Sequence, residues 1–234
     1  MQREIKMKFR LAWALPFVAA PVSALAGFNF NSTTVWQETD ANLGISGYTI
    51  EDFEDTTLVA GLQVSVTSPN GNLAQTSTLP NTFKPADDAF GTAFTLGGGG
   101  VWDGDHGIIN TRTNQTFHYG EAGSWGHLTF HFTGGVKSAG FSLQQVDRDA
   151  NVVVNGVSIG SLYALAPSFA AGNGRQGYVR IDATGSDVIN TLSIQDAFGF
   201  GDGYMFDHVS FVPEPATLAT LSLGALIAVR KRRK

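Results

Sequence analysis

The side chains of this sequence best suited to chemistry are carboxylates. Asp207 lies in Tyr204-Met205-Phe206-Asp207-His208-Val209-Ser210-Phe211. A two-residue alternation there puts it on one strand face with Met205, Val209 and Phe211. A carboxylate among apolar neighbours needs a partner, either backbone amides or a cation. Calcium is the cation that suits oxygen donors, taking roughly six to eight of them. Trp102-Asp103-Gly104-Asp105-His106 also contains an Asp-Gly-Asp fragment of the calcium-loop kind. The closing glutamate of an EF-hand loop is missing, so the stretch reads as a glycine-rich surface loop.

Other chemistries are poorly served. The chain has no cysteine, which excludes disulfides, thiolate metal sites and cysteine nucleophiles. It has no phosphate-binding Gly-Lys-Ser/Thr ending, and its one Gly-x-Ser-x-Gly match, Gly156-Val157-Ser158-Ile159-Gly160, starts in the Asn155-Gly156 hairpin signal instead of at the strand-to-helix turn a lipase-type nucleophile needs. His127 and His131 share a strand face but lie about 13 Å apart at ~3.3 Å per residue, too far to hold one metal. His106, His118 and His208 stand alone in the sequence. Trp102 and Trp125, with Trp36, Tyr119 and Tyr204, offer flat rings to the apolar faces of sugars. Their competing role is packing. The expected catalytic set is therefore empty, and the chain reads as non-enzymatic.

The elements that must position these residues are strands. Leu62 to Val66, His127 to Phe132, Ala139 to Leu143 and Gly177 to Ile181 alternate apolar and polar residues. Val152 to Val154 and Val157 to Leu162 flank Asn155-Gly156, a strong two-residue hairpin signal. Leu192 and Ile194 mark another strand, and Tyr204 to Val212 the last. No stretch shows convincing helical periodicity. Ser68 to Asp88, with three prolines, and Gly97 to Gly107 read as long loops. Short strands with Gly, Asn and Asp turns predict an all-β fold, an antiparallel β-sandwich over residues 27–211.

The two ends differ from this middle. Arg3, Lys6, Lys8 and Arg10 precede an apolar run at 11–20 and then Ala24-Leu25-Ala26. Charged region, apolar region and small-x-small site predict a secretory signal peptide over 1–26, cut after Ala26. At the other end Val212-Pro213-Glu214-Pro215 precedes an uncharged run at 216–229 and five basic residues at 230–234. Fourteen residues are short for a membrane span, which takes about 20, though snorkelling basic stems extend the reach. The basic end predicts a cytoplasmic terminus and an exported middle. Between the ends the carboxylates far outnumber six Lys and Arg, which argues against nucleic acid as partner.

This tail resembles the PEP-CTERM sorting signal of Gram-negative bacteria: Pro213-Glu214-Pro215, apolar helix, basic cluster, in that order at the terminus. The resemblance implies processing by exosortase, a membrane protease-transpeptidase, and delivery to the cell surface or extracellular matrix. It implies a transient anchor in the inner membrane. Many such proteins carry a jelly-roll domain similar to carbohydrate-binding modules. Thr49 to Thr56, with Glu51-Asp52-Phe53-Glu54-Asp55, and Gly203 to Phe211 resemble its opening and closing segments. In a jelly roll the first and last strands can lie side by side, bringing Glu54 or Asp55 near Asp207, where they could hold a structural calcium. The expected function is a non-enzymatic surface or matrix protein, with polysaccharide as a candidate ligand. The alternatives are a secreted carbohydrate-active hydrolase on the same scaffold and a structural adhesin.

Overall fold

A computed structural model describes residues 27–67, 72–79, 102–104, 107–109, 127–146, 148–170, 175–196 and 205–213. The signal region and residues 214–234 lie outside them. So do most of the two long loops, Trp125 and the Glu214-Pro215 half of the sorting motif.

The fold is all-β and antiparallel. Its strands are β1 (Phe28–Thr33), β2 (Thr49–Glu51), β3 (Leu62–Thr67), β4 (Leu73–Thr76), β5 (Ile108–Ile109) and β6 (His127–Val146). They continue with β7 (Ala150–Val154), β8 (Val157–Ser161), β9 (Arg175–Ala183), β10 (Ile189–Asp196) and β11 (Met205–Pro213). Two single-turn helices, α1 (Asp40–Leu43) and α2 (Leu162–Leu165), and one 3₁₀ turn complete the described elements.

β6 organises everything. The sequence suggests two strands, 127–132 and 139–143, but the structure makes one strand of 20 residues. Its first half pairs with β3 and β10, and its second half with β9 and β11. Gly134 and Gly135, at φ +81° and +77°, turn the strand between the halves. Only glycine adopts that conformation cheaply in succession, so the pair makes a corner. The sheet thus curls into two leaves. One runs β4-β3-β6-β10-β7-β8, and the other carries β1, β9, β6 and β11, with β2 and β5 along β11.

The leaves face each other across an aromatic core. Phe130 on the first half of β6 lies 5.4 Å from Phe141 on the second half and 5.5 Å from Phe206 of β11. Phe132 meets Phe211 at 5.3 Å. Leu62, Val64, Val66, Leu128, Leu192 and Ile194 fill the first leaf's inner face, and Val179, Ile181 and Val209 the second's. These are the positions the alternation assigned. The Asn155-Gly156 hairpin also forms, with φ +53° and +78°. Asn155 strengthens it by accepting the amides of Asn190 and Thr191 at 2.7 and 3.1 Å and donating to the Val188 carbonyl.

One phase relation differs from the sequence reading. Asp207 does not share a face with Val209 and Phe211. Asp207 pairs with Ser142 but Ser210 with Gly140, so β11 carries one extra residue. His208 takes up the slip at φ +49°. A bulge of this kind flips the faces. Phe206, Val209 and Phe211 point into the core, while Asp207 and Ser210 point to the outer face of the second leaf.

Candidate functional site

The outer face of the second leaf is where polar chemistry collects. Tyr178 on β9, Ser142 on β6 and Asp207 and Ser210 on β11 line it. It is roofed by Trp36, Leu43, Ile45 and Tyr48 from the segment around α1, and by Trp102. Trp102 is 4% exposed. It meets Trp36 edge-on at 4.9 Å and Tyr178 at 5.7 Å.

Asp207 ties this roof to the sheet. One carboxylate oxygen accepts the amides of Trp102 at 2.7 Å and Asp103 at 3.1 Å. The other accepts the amide of His208 at 2.6 Å. Burial pushes the Asp207 carboxyl well up, and the neighbouring charge of Asp103 adds to that. The three amides oppose the rise but do not cancel it.

His208 is the second tie. Its Nδ1 meets the Asp103 carboxylate at 2.5 Å and its Nε2 meets Asp40, in the first turn of α1, at 3.1 Å. A ring with a carboxylate at each nitrogen is best served as imidazolium, donating at both. Burial alone lowers the His208 pKa, but the Asp103 hydrogen bond and the charges of Asp103 and Asp40 outweigh it and raise it. Both nitrogens are thereby committed, which leaves His208 unfit as a general base. It bridges three stretches of chain lying 105 and 168 residues apart.

Tyr178 completes the layer. Its hydroxyl bonds the Ser210 hydroxyl, and burial pushes its phenol up. A Cβ at Gly140 would strike that hydroxyl and the Val179 carbonyl, so the tyrosine requires glycine beneath it.

Beside this layer, between β1, α1 and β9, runs a groove of about 290 Å³. Asn31, Glu38, Asn42, Leu43, Tyr178 and Arg180 line it. Arg180 is held on four bonds: Nε and Nη2 to Asp182 at 3.2 and 3.1 Å, and Nη1 to the Leu43 and Gly44 carbonyls at 2.5 and 3.1 Å. Asn31 donates to Asp182 at 2.9 Å, and Asn42 to Glu38 at 2.6 Å. The planar polar groups are therefore fixed before anything binds.

The sequence-predicted residues fall as follows. Asp207 is 1% exposed and filled by amides. Asp55 accepts the Thr57 amide at 2.6 Å, an ordinary turn bond. Glu54 lies against Gly104, in the same loop that Asp207 holds. Glu51, which the sequence left in the opening segment without a role, is the buried carboxylate there. It accepts the amides of Phe53 at 2.8 Å and Val59 at 2.6 Å, and burial raises it. β2 and β11 do lie side by side, as a jelly roll allows. Among the described residues no group of three or more His, Asp or Glu is placed to hold a metal. Trp102 is roof packing, and Trp125 lies outside the described residues. Residues the sequence did not single out, Asp40, Tyr178 and Arg180, form the layer and the groove. Their separation along the chain gives no local signal.

A family model for the PEP-CTERM protein-sorting motif matches residues 211–234. The chain is thus a β-sandwich carrying a PEP-CTERM motif, and that motif supports sorting by exosortase to the cell surface. Neither the curated proteins nor the solved structures give a match.

Proposed function

We propose that the chain is a non-enzymatic surface protein whose sandwich binds polysaccharide in the groove between β1 and α1. Residues 1–26 direct export, the run at 216–229 holds the chain transiently in the inner membrane, and exosortase then hands it to the surface or matrix. The observation that carries the binding reading is the groove's set of fixed planar groups, Asn31, Glu38, Asn42 and Arg180. Paired sugar hydroxyls suit such groups, and prior fixing lowers the ordering cost of binding. Trp102 backs Tyr178 from behind the groove. Calcium fits Asp207 poorly, since three amides already occupy its two oxygens.

The test is a glycan array, and titration with the host's own exopolysaccharide, against wild type and Asn42→Ala. Binding weakened tenfold or more in Asn42→Ala supports the groove. No binding at millimolar sugar removes the reading.

One observation favours a hydrolase instead. Ser65 Oγ lies 2.7 Å from His131 Nε2 on the outer face of the first leaf, and burial lowers the His131 pKa. A neutral imidazole beside a hydroxyl is the start of a nucleophile pair. The surrounding β3 and β6 amides are engaged in the ladder, which leaves an oxyanion poorly served. Ester or glycoside turnover abolished by Ser65→Ala would replace the binding reading.

A further inference from the structure

The groove between β1, α1 and β9 offers a ligand acceptors more than donors. Arg180 carries five N–H groups, and four are engaged, on Asp182 and on the Leu43 and Gly44 carbonyls. The one left cannot make the two-pronged hold that arginine gives a carboxylate. The backbone donors of α1 are engaged too. The Asn42 amide goes to the Thr39 hydroxyl, the Leu43 amide to the Thr39 carbonyl and the Gly44 amide to the Ala41 carbonyl. The Tyr178 hydroxyl is shared with Ser210.

The acceptors are differently placed. Glu38 receives the Thr39 amide at 3.1 Å and the Asn42 side chain at 2.6 Å, both on Oε1. That oxygen alone serves the start of α1, and Oε2 takes no bond from a described residue. Asn31 and Asn42 give their NH2 groups to Asp182 and Glu38, which leaves their amide oxygens to accept. Charge runs the same way. Arg180 lies against Asp182 at 3.1 Å, and His208 between Asp40 and Asp103. No described cation lies within ion-pair distance of Glu38.

We propose that the groove selects an amine-bearing glycan, a polysaccharide with free amino sugars, and turns away polyuronates. This rests on the reading that the groove binds polysaccharide. An ammonium donates three N–H bonds and accepts none, so it matches Glu38 Oε2 and the two amide oxygens. The hydroxyls of Ser32 and Thr33, which also line the groove, can donate or accept and suit the neighbouring sugar hydroxyls. N-acetylation removes the charge and leaves a single N–H. A uronate brings acceptors to acceptors and a like charge to Glu38, with no fork to receive it.

The test is calorimetric titration of the full chain, below neutral pH and at low salt, with four β-1,4 or α-1,4 tetramers: glucosamine, N-acetylglucosamine, glucose and galacturonate. The glucosamine tetramer should bind at least tenfold tighter than the N-acetylglucosamine and glucose tetramers, with galacturonate the weakest. Glu38→Gln keeps the Oε1 acceptor that holds α1, and it should bring the glucosamine tetramer down to the level of the glucose tetramer. Asp187→Asn also removes one negative charge, beside Gly27 at the far end of β1, and should leave the ranking unchanged. Glucosamine bound no tighter than glucose or galacturonate overturns the amine preference while leaving polysaccharide binding intact. Equal losses in the two variants overturn it as well, since bulk charge would then suffice. Binding of none of the four at millimolar sugar removes the groove reading and this inference with it.

Discussion

The two faces of the second leaf are built on opposite terms. Its inner face presents Phe141, Val179, Ile181, Phe206, Val209 and Phe211, all apolar and closed by the first leaf. Its outer face presents Ser142, Tyr178, Asp207 and Ser210, closed by a roof tied down through hydrogen bonds. Burial on the inner face tolerates exchange between residues of similar volume, since dispersion and area are non-directional. The outer layer holds one arrangement, because each buried polar atom must find its partner. The strain at His208 belongs to the outer layer. A non-glycine residue at φ +49° persists where its surroundings over-determine it, and here two carboxylates and two rings do so.

Substitutions should separate the two faces. The largest effect is expected at the centre of the core. Phe130→Ala should cost about 3–5 kcal/mol in denaturant unfolding, and Phe130→Leu much less. Asp207→Ala should follow, at about 2–4 kcal/mol, because the amides of Trp102, Asp103 and His208 lose their acceptor. Asp207→Asn should recover only part of this, since its one oxygen can still accept the Trp102 and Asp103 amides while its NH2 cannot accept that of His208. Near-ultraviolet dichroism should report it through Trp102. Equal losses in Phe130→Leu and Phe130→Ala, or a silent Asp207→Asn, would dissolve the contrast.

The smallest effect is in the pH dependence. The His208 pKa is raised in the folded state, so its contribution is complete below about pH 6.5 and fades as pH rises through the folded value. The raised Asp207 acts in the same direction, since the folded state holds its proton to higher pH than the unfolded chain. Unfolding free energy should therefore fall as pH rises from 6 to 8. Asp103→Asn should flatten part of that slope and lower the His208 pKa measured by NMR. A stability that rises over this range would contradict the assigned protonation.

The inner face was legible in the sequence because alternation is local. Leu62-Gln63-Val64-Ser65-Val66 and Leu128-Thr129-Phe130-His131-Phe132 declare their buried sides residue by residue, and Asn155-Gly156 declares its turn. The outer layer was not legible. His208 looks isolated until the fold brings Asp40 and Asp103 to it, and the bulge it occupies reverses the face of Asp207. Nothing in Gly134-Gly135 announces that two apparent strands are one. The sorting motif was legible for a different reason: its three parts lie in fixed order along the chain and need no fold to be read.

The most direct test of the account is localisation of the chain with and without residues 214–234 in a host that makes an exosortase. With the tail, the account predicts protein at the cell surface. Without it, a folded sandwich should remain in the compartment it is exported to and fail to reach the surface. The same distribution for both chains would contradict sorting through the motif.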